Sequence, residues 1–572
     1  MKFLFELINP YKRRMLLGLF VKILATFVEL AIPLILTHIL ESVILSLSIK
    51  RVVFFGALMI LCAALACLFN IIANRMAARV ACDVTRSLRR DLFKKTLSLS
   101  ARQVDKFTIP SLESRITSDT YNVYNFLSMV QRMGVRAPTL LFGGIVITLF
   151  IDPVLALVMI GTFPLILFIT VSVALRGVSL YSEVQAAQDG MVRVVREDSQ
   201  GIRVIKALSK VEYEKANYDL KNSALSRAER RAGRIMAIPN PIMTLLMNLG
   251  ICGVVAISAY RVSKNLSSAA NVIAFMQYFT IISMSMLVLS RIFVSYTKCR
   301  ASSTRIAEVM NTPDDFYLLE NSEKIDTDAF ISFENVSFSY FGVRNNLENV
   351  NFSLKKGERL GIIGGIGSGK STLIRLLMRL YDVNSGRILI DGRDIRSYPR
   401  EELVRKFGVT LQSDFLYSDT ISENIRFGRE VSDEDIAWAA RVAQADGFIS
   451  ECEGGYSHVL APRGMNLSGG QRQRLLIARA IAAHPDILIL DDASSALDYR
   501  TDAALRRALS EQLLGTTVIT VAQRVSSVMS CDLILVLDDG KVIGAGTHGE
   551  LMESCPEYRE ISELQMGGDI ID

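Results

Sequence analysis

Three short stretches of this chain carry residue types that handle phosphate. Between Arg359 and Leu377 the sequence reads RLGIIGGIGSGKSTLIRLL, in which Gly364, Gly369, Lys370 and Ser371 fit the spacing G-x-x-x-x-G-K-S/T. An apolar strand leads into the run and an amphipathic helix follows it, so the context fits as well as the string. The glycines let the backbone N–H groups turn inward around phosphate oxygens, from Gly364, Gly365, Ile366, Gly367 and Ser368 to Gly369, Lys370, Ser371 and Thr372. The helix N-terminus adds partial positive charge, the Lys370 ammonium reaches the terminal phosphates, and the Ser371 hydroxyl ligates Mg²⁺. Further on, DILILDDASSALD is an apolar strand running into Asp491 and Asp492, with Asp491 placed as the carboxylate on the Mg²⁺ side. Between the two lies LSGGQRQRLLIARAIAAHP, a Ser-Gly-Gly turn that opens a basic helix. It reads either as a second phosphate-facing helix terminus or as an ordinary helix cap.

The elements that must hold these residues fall into two dissimilar halves. The chain has 572 residues, is half hydrophobic and carries a net charge of +6, which points to more than one domain and to lipid. Crossing a bilayer takes about 20 apolar residues. Six segments qualify: 15–45, 52–78, 137–152, 154–175, 237–260 and 271–296. Lys12, Arg13 and Arg14 precede the first, and RVACDVTRSLRRDLFKK and SRAERRAGR lie in the long connections 79–136 and 176–236. The Lys/Arg bias therefore puts the N-terminus and both long connections in the cytoplasm, and six spans return the C-terminal half there too. Both connections keep helical spacing of apolar residues and read as spans continuing into the cytosol. Lys22 and Glu29 share a face of the first span, as a substrate pathway or a structural pair, and Asn248 lies in the fifth. The eight cysteines form no CxxC pair, and neither a disulfide framework nor a zinc site is expected. The apolar stretch from Met15 has no small-residue cleavage site and reads as a retained span rather than a signal peptide.

Taken in order, these motifs resemble the ATP-binding cassette (ABC) exporters, over nearly the whole length. The resemblance implies an all-α six-helix transmembrane domain over 1–310, a linker over 311–330, and an α/β P-loop nucleotide-binding domain with a helical subdomain over 331–572. It places Tyr340 at the adenine-stacking position, Gln412 as the Q-loop glutamine and a further Mg²⁺ ligand, and Ser468, Gly469, Gly470 and Gln471 as the signature. It also makes SALD, ending at Asp498, the D-loop. In the family two such domains sandwich two ATP molecules head to tail, each between one chain's P-loop and the other's signature, so a second half-transporter is implied as partner. Short coupling helices are expected near Asp105–Glu113 and Leu208–Lys215. The setting is the cell membrane, with lipid around the spans and no nucleic-acid partner.

Two catalytic positions and one loop position depart from the family pattern. The catalytic Glu that follows the Walker B Asp is here Asp492, whose carboxylate is withdrawn by roughly 1.5 Å through loss of one methylene. A base must stay within hydrogen-bond reach of its water, and misplacement of that order costs about 10²-fold. The switch His is here Gln523, which can donate a hydrogen bond but carries no charge and shuttles no proton. None of His38, His458, His484 and His548 occupies that position. Pro462 stands where many exporters have Glu, two residues before Gly464. Together these features predict the degenerate-site subunit of a heterodimeric exporter: ATP is held but not readily split, and the intact signature completes the partner's active site. A homodimer with slow hydrolysis and a nucleotide-gated regulatory or channel subunit stay open as alternatives, while an importer subunit fits the fused architecture less well. The cargo is expected to be amphipathic, a drug, lipid or peptide. The Met-rich face FMQYFTIISMSMLVL reads as an adaptable lining or as helix packing. The absence of a peptidase segment before the spans argues against a leader-cleaving exporter.

Overall fold

The computed structural model describes residues 2–43, 48–264, 268–319, 324–340, 342–412 and 414–566. The chain divides into two compact units: Met1–Ser98 with Phe107–Thr312, and Leu99–Lys106 with Pro313–Asp572.

The first unit is helical. Among the described residues five stretches are long and apolar enough to cross a membrane: Glu6–Val43, Ile49–Ser98, Ile109–Ile151, Val211–Ser263 and Ala270–Met310. The sixth expected span opens the 55-residue helix Pro153–Ala207, whose start, Pro153–Leu165, is apolar. A 50-residue helix such as Ile49–Ser98 is about 75 Å long, against about 30 Å of hydrocarbon, so much of it stands outside the lipid. The sequence changes accordingly along it. Past Ala77 the apolar positions narrow to one face, with Val80, Val84, Leu88 and Leu92 recurring every fourth residue and buried. Lys22 and Glu29 do not pair with each other. The Lys22 ammonium donates to Asn70 Oδ1 at 2.7 Å and Asn74 Oδ1 at 3.0 Å, whereas Glu29 accepts a two-pronged contact from Arg136 at 2.6 and 3.2 Å. The Glu29 charge is thus neutralised by Arg136 and the Lys22 ammonium is hydrogen-bonded to neutral amide oxygens within the unit, partners of the kind that intramembrane charges require.

The first expected coupling segment is two short helices, Ala101–Phe107 and Ile109–Ser114, interrupted at Thr108 where φ is 64°. Leu208–Lys215 forms no separate helix. It is a turn through Ser209, at φ 53°, followed by the start of the helix Val211–Met236.

The second unit is built on two sheets. Strands β1 (Ile331–Phe338), β2 (Leu347–Leu354), β4 (Ser385–Ile390) and β5 (Arg393–Asp394) form an antiparallel sheet in the order β2-β1-β4-β5. The larger sheet has the order β10-β9-β3-β8-β7-β6, from β3 (Arg359–Gly364), β6 (Phe407–Thr410), β7 (Ile487–Asp491), β8 (Thr517–Val521), β9 (Leu533–Asp538) and β10 (Lys541–Gly546). All its pairings are parallel except β10 with β9. Strand β7 is buried throughout because both its faces are covered. Ile487 and Ile489 join the core shared by the two sheets and the helix Lys370–Leu377, while Leu488 and Leu490 face a separate helical core around Ile436, Ala440, Ile449 and Leu475. Leu99–Lys106 is anchored within this unit: the Ser100 hydroxyl donates to Asp315, Gln103 Nε2 to the Pro313 carbonyl, and the Tyr381 hydroxyl to the Asp105 carboxylate.

Candidate nucleotide site

Three adjacent parallel strands, β3, β8 and β7, end at one edge of the larger sheet, and the predicted chemistry sits at those ends. Gly364 closes β3, Ala522 and Gln523 follow β8, and Asp491 closes β7 with Asp492 next to it. Parallel pairing aligns Asp491 with Val521, and the Asp492 amide continues the ladder by donating to the Val521 carbonyl at 3.0 Å. Ligand crevices of open α/β sheets form outside such carboxyl ends.

A cavity of about 280 Å³ opens there, lined by Ile366, Gly367, Ser368, Gly369, Lys370, Ser371 and Thr372 on the loop side and by Gln412, Asp491, Asp492 and Gln523 opposite. The loop demands glycine for steric reasons. A Cβ on Gly364 would lie 2.1 Å from the Leu537 carbonyl oxygen, and one on Gly369, at φ 103°, would lie 2.8 Å from that of Asn346. The Lys370 ammonium curls over the loop and donates to the Gly364 and Gly365 carbonyls at 2.9 and 2.7 Å. Burial pulls its pKa down, and the neighbouring Asp491 and Asp492 charges oppose that. Burial pushes the Asp491 carboxyl above its ordinary value; the Ser371 hydrogen bond pulls it back and the Asp492 charge pushes it further up. Asp492 is likewise raised by burial and held down by Lys370 and Arg524. Two partly desolvated carboxylates beside a hydroxyl and an amide make a set of hard oxygen donors in which a divalent cation relieves the repulsion, so Ser371, Asp491 and Gln412 fit Mg²⁺.

At the far side Gln523 Nε2 lies 3.4 Å from Asp492 Oδ2, so the two departures from the family pattern face each other. The histidines are engaged elsewhere. His484 stacks on Trp438 and contacts Asp435, His458 faces the Glu453 carbonyl, His548 contacts Tyr558, and His38 packs edge-on to Phe55.

Not every predicted residue lines this cavity. Tyr340 is half-buried in an edge-on cluster with Phe338 and Tyr381, at centroid distances of 4.8 and 5.0 Å. Its hydroxyl stands 3.4 Å from Thr372 Oγ1 and accepts from Arg375 at 3.1 Å. Ser468–Gln471 lie apart from the cavity. Ser468 caps the helix Gly469–Ile481 in a capping box, its hydroxyl accepting from the Gln471 amide while the Gln471 side chain accepts from the Ser468 amide. The ordinary cap is therefore real, and the helix terminus is exposed as well. Gly469 and Gly470 admit the D-loop, since a Cβ on either would come within 3.3 and 3.1 Å of Ala496. Gln473 fixes that loop, accepting from the Ala496 amide at 3.0 Å and donating to Ser495 Oγ at 3.1 Å. Asn346, Val521 and Ala522 also line the cavity and were missed in the sequence. Asn346 precedes β2 with no local motif, whereas Val521 and Ala522 were reachable as the end of the strand TTVITVA.

Comparison with known proteins agrees over the full length. Residues 15–286 match the ABC transporter transmembrane region and residues 347–495 the ABC transporter family. The uncharacterized ABC transporter ATP-binding protein YfiB of Bacillus subtilis is 35% identical over 98% of each chain. A multidrug efflux ATP-binding/permease protein of Mycobacterium bovis is 30% identical over 98% of this chain and 47% of its own. The structure of a bacterial Atm1-family ABC exporter with ATP bound superposes with a TM-score of 0.81 at 26% identity, covering 97% of this chain and 98% of that one. The chain belongs to the ABC transporters, as a multi-pass half-transporter of the exporter fold that joins a helical transmembrane domain to a cytoplasmic, ATP-binding α/β domain in one polypeptide.

Proposed function

We propose that this chain is one subunit of a heterodimeric exporter, retaining Mg-ATP in a site that hydrolyses it slowly or not at all. Its Ser468, Gly469, Gly470 and Gln471 complete the active site of a partner half-transporter. The observation that carries the reading is the facing pair Asp492 and Gln523 beside an intact binding set of Lys370, Ser371, Gln412 and Asp491. Lys370 binds the terminal phosphates, and the loop amides from Gly364 to Thr372 orient them. When bound, Mg²⁺ would neutralise phosphate charge, with Ser371, Asp491 and Gln412 as its protein ligands. Asp492 is too short to hold an attacking water at the distance a Glu would, and Gln523 offers a neutral donor where charge develops. Tyr340 would stack on the adenine. With the multidrug relative as guide, the cargo is an amphipathic, drug- or lipid-like molecule moved out of the cytoplasm.

ATPase assays of the purified chain, alone and with a partner carrying Glu and His at the corresponding positions, test this. The chain alone is expected to turn over slowly, and Asp492→Asn to leave the paired rate unchanged. Asp492→Glu with Gln523→His should raise turnover by about 10²-fold in the slow site. Brisk hydrolysis by this chain alone, abolished by Asp492→Asn, would overturn the reading, as would a double variant with unchanged turnover.

A further inference from the structure

The helical unit contains a cavity of about 490 Å³ that the nucleotide chemistry does not use. Two helical faces line it. One presents Asn122, Asn125 and Arg132, the other Arg291, Ser295 and Lys298. The spacing is what a helix requires: Arg291 and Lys298 are seven residues, two turns and about 10 Å apart on one face of Ala269–Met310. Among the described residues no Asp or Glu lines the cavity, and Arg132, Arg291 and Lys298 take part in no ion pair or hydrogen bond, although other arginines of this unit are paired, such as Arg136, Arg261 and Arg305. Three exposed cations that line one cavity with no lining counter-charge attract an anion.

A second cavity of about 200 Å³ adjoins the first, since Met133 lines both. Its character is different. Leu140, Ile281, Met284 and Val288 make it mainly apolar, and its one charged pair, Glu29 with Arg136, is already neutralised. Along Ala269–Met310 the apolar part comes first, at Thr280–Val288, and the cationic part lies toward the end that leads into the nucleotide-binding domain. Met133 and Met284 have side chains that repack around differing shapes.

We propose that the two cavities form one binding site for an amphipathic organic anion: a sulfonate, phosphate or carboxylate head held by Arg132, Arg291 and Lys298, and an apolar body against Met133, Leu140 and Met284. This rests on the exporter reading and names the substrate class for it. The ligand is either a soluble amphiphile or an anionic lipid, which share this chemistry.

The test uses the full-length chain in phosphatidylcholine nanodiscs, with equilibrium binding of radiolabelled taurocholate, a sulfonated amphiphile, compared with the lipophilic cation rhodamine 6G. Taurocholate is expected to bind the more tightly. Arg132→Gln, Arg291→Gln and Lys298→Gln should each weaken it about tenfold, the loss of one charge-assisted hydrogen bond. Lys298→Arg should keep it, and Arg300→Gln, an exposed cation outside the cavity, should leave it unchanged. An unmoved calorimetric transition of the helical unit shows that each variant is folded, and ATP binding is measured in the same nanodiscs. Because it depends on Lys370 rather than on this cavity, it separates failure of this inference from failure of the nucleotide-site reading. Replacing half the lipid by phosphatidylglycerol assigns the source: lost taurocholate binding marks a lipid headgroup as occupant, and unchanged binding marks a soluble amphiphile. Equal affinity of wild type and the triple variant for taurocholate, or tighter binding of rhodamine 6G, would overturn the proposal.

Discussion

At Asp492 the backbone is left-handed, with φ at 55°, a region that Asp and Asn enter several-fold more readily than other side chains. A Glu restored there carries strain of up to about 1 kcal/mol, so the gain in turnover comes with some loss of stability. The glycines of the loop separate two kinds of requirement. Gly364→Ala would drive its Cβ into the backbone of the neighbouring strand at Leu537, where nothing can yield. Around Gly367, at φ 84°, nothing lies within 4 Å, so Ala there costs only backbone strain of about 1 kcal/mol. Nucleotide-binding and thermal-unfolding measurements should therefore find Gly364→Ala unable to bind ATP and Gly367→Ala folded and weakened. Equal behaviour of the two would remove the steric argument.

Besides the apolar clusters between them, the helices of the membrane-spanning unit are tied by a few buried polar contacts. Asp152 is 3% exposed and breaks the chain between Arg136–Ile151 and Pro153–Ala207. Its Oδ1 caps the second helix by accepting from the Val154 and Leu155 amides, and its Oδ2 accepts from Arg261 Nε at 3.2 Å. Asp152→Asn keeps an acceptor for the cap but loses the ion pair, and is expected to cost about 1.5 kcal/mol; Asp152→Ala loses both, about 3 kcal/mol. Unfolding of the purified chain in detergent would show the ordering, and Asn as damaging as Ala would mean that the charge, not the cap, carries the contact. On the extensions of the spans Asp119, 1% exposed, accepts from Ser302 and Arg305, and Arg115 pairs with Glu308. These contacts tie the extension to Ala269–Met310 and so shape the face that presents Arg132, Arg291 and Lys298.

For the whole molecule, two compact units mean that a single unfolding free energy is not defined, and calorimetry should resolve more than one transition. ATP at 100 times its Kd should stabilise only the transition of the nucleotide-binding unit, by about 2.7 kcal/mol. Lys370→Ala should abolish that shift without moving the other transition. A site that binds without splitting gives a shift that persists during prolonged incubation, whereas an active one loses it as ATP is consumed.

Local order fixes much of this protein in its sequence. A P-loop is a contiguous string whose backbone geometry follows from its glycines, and a span is a contiguous apolar run, so both were legible without coordinates. The resemblance also placed Asp492 and Gln523 where the family pattern has Glu and His, because those positions lie at fixed offsets from strands. Tertiary structure alone decided what meets across the chain. Lys22 and Glu29 share a face yet pair with Asn70, Asn74 and Arg136 on other helices. Asn346 comes to the phosphate loop from a hairpin with no motif, and Leu208–Lys215 folds as a turn running into the helix Val211–Met236 rather than as a separate short helix. The cationic cavity joins residues near 130 to residues near 295. Periodicity tells which face of a helix is apolar; which other helix that face meets is set by packing among segments far apart in sequence.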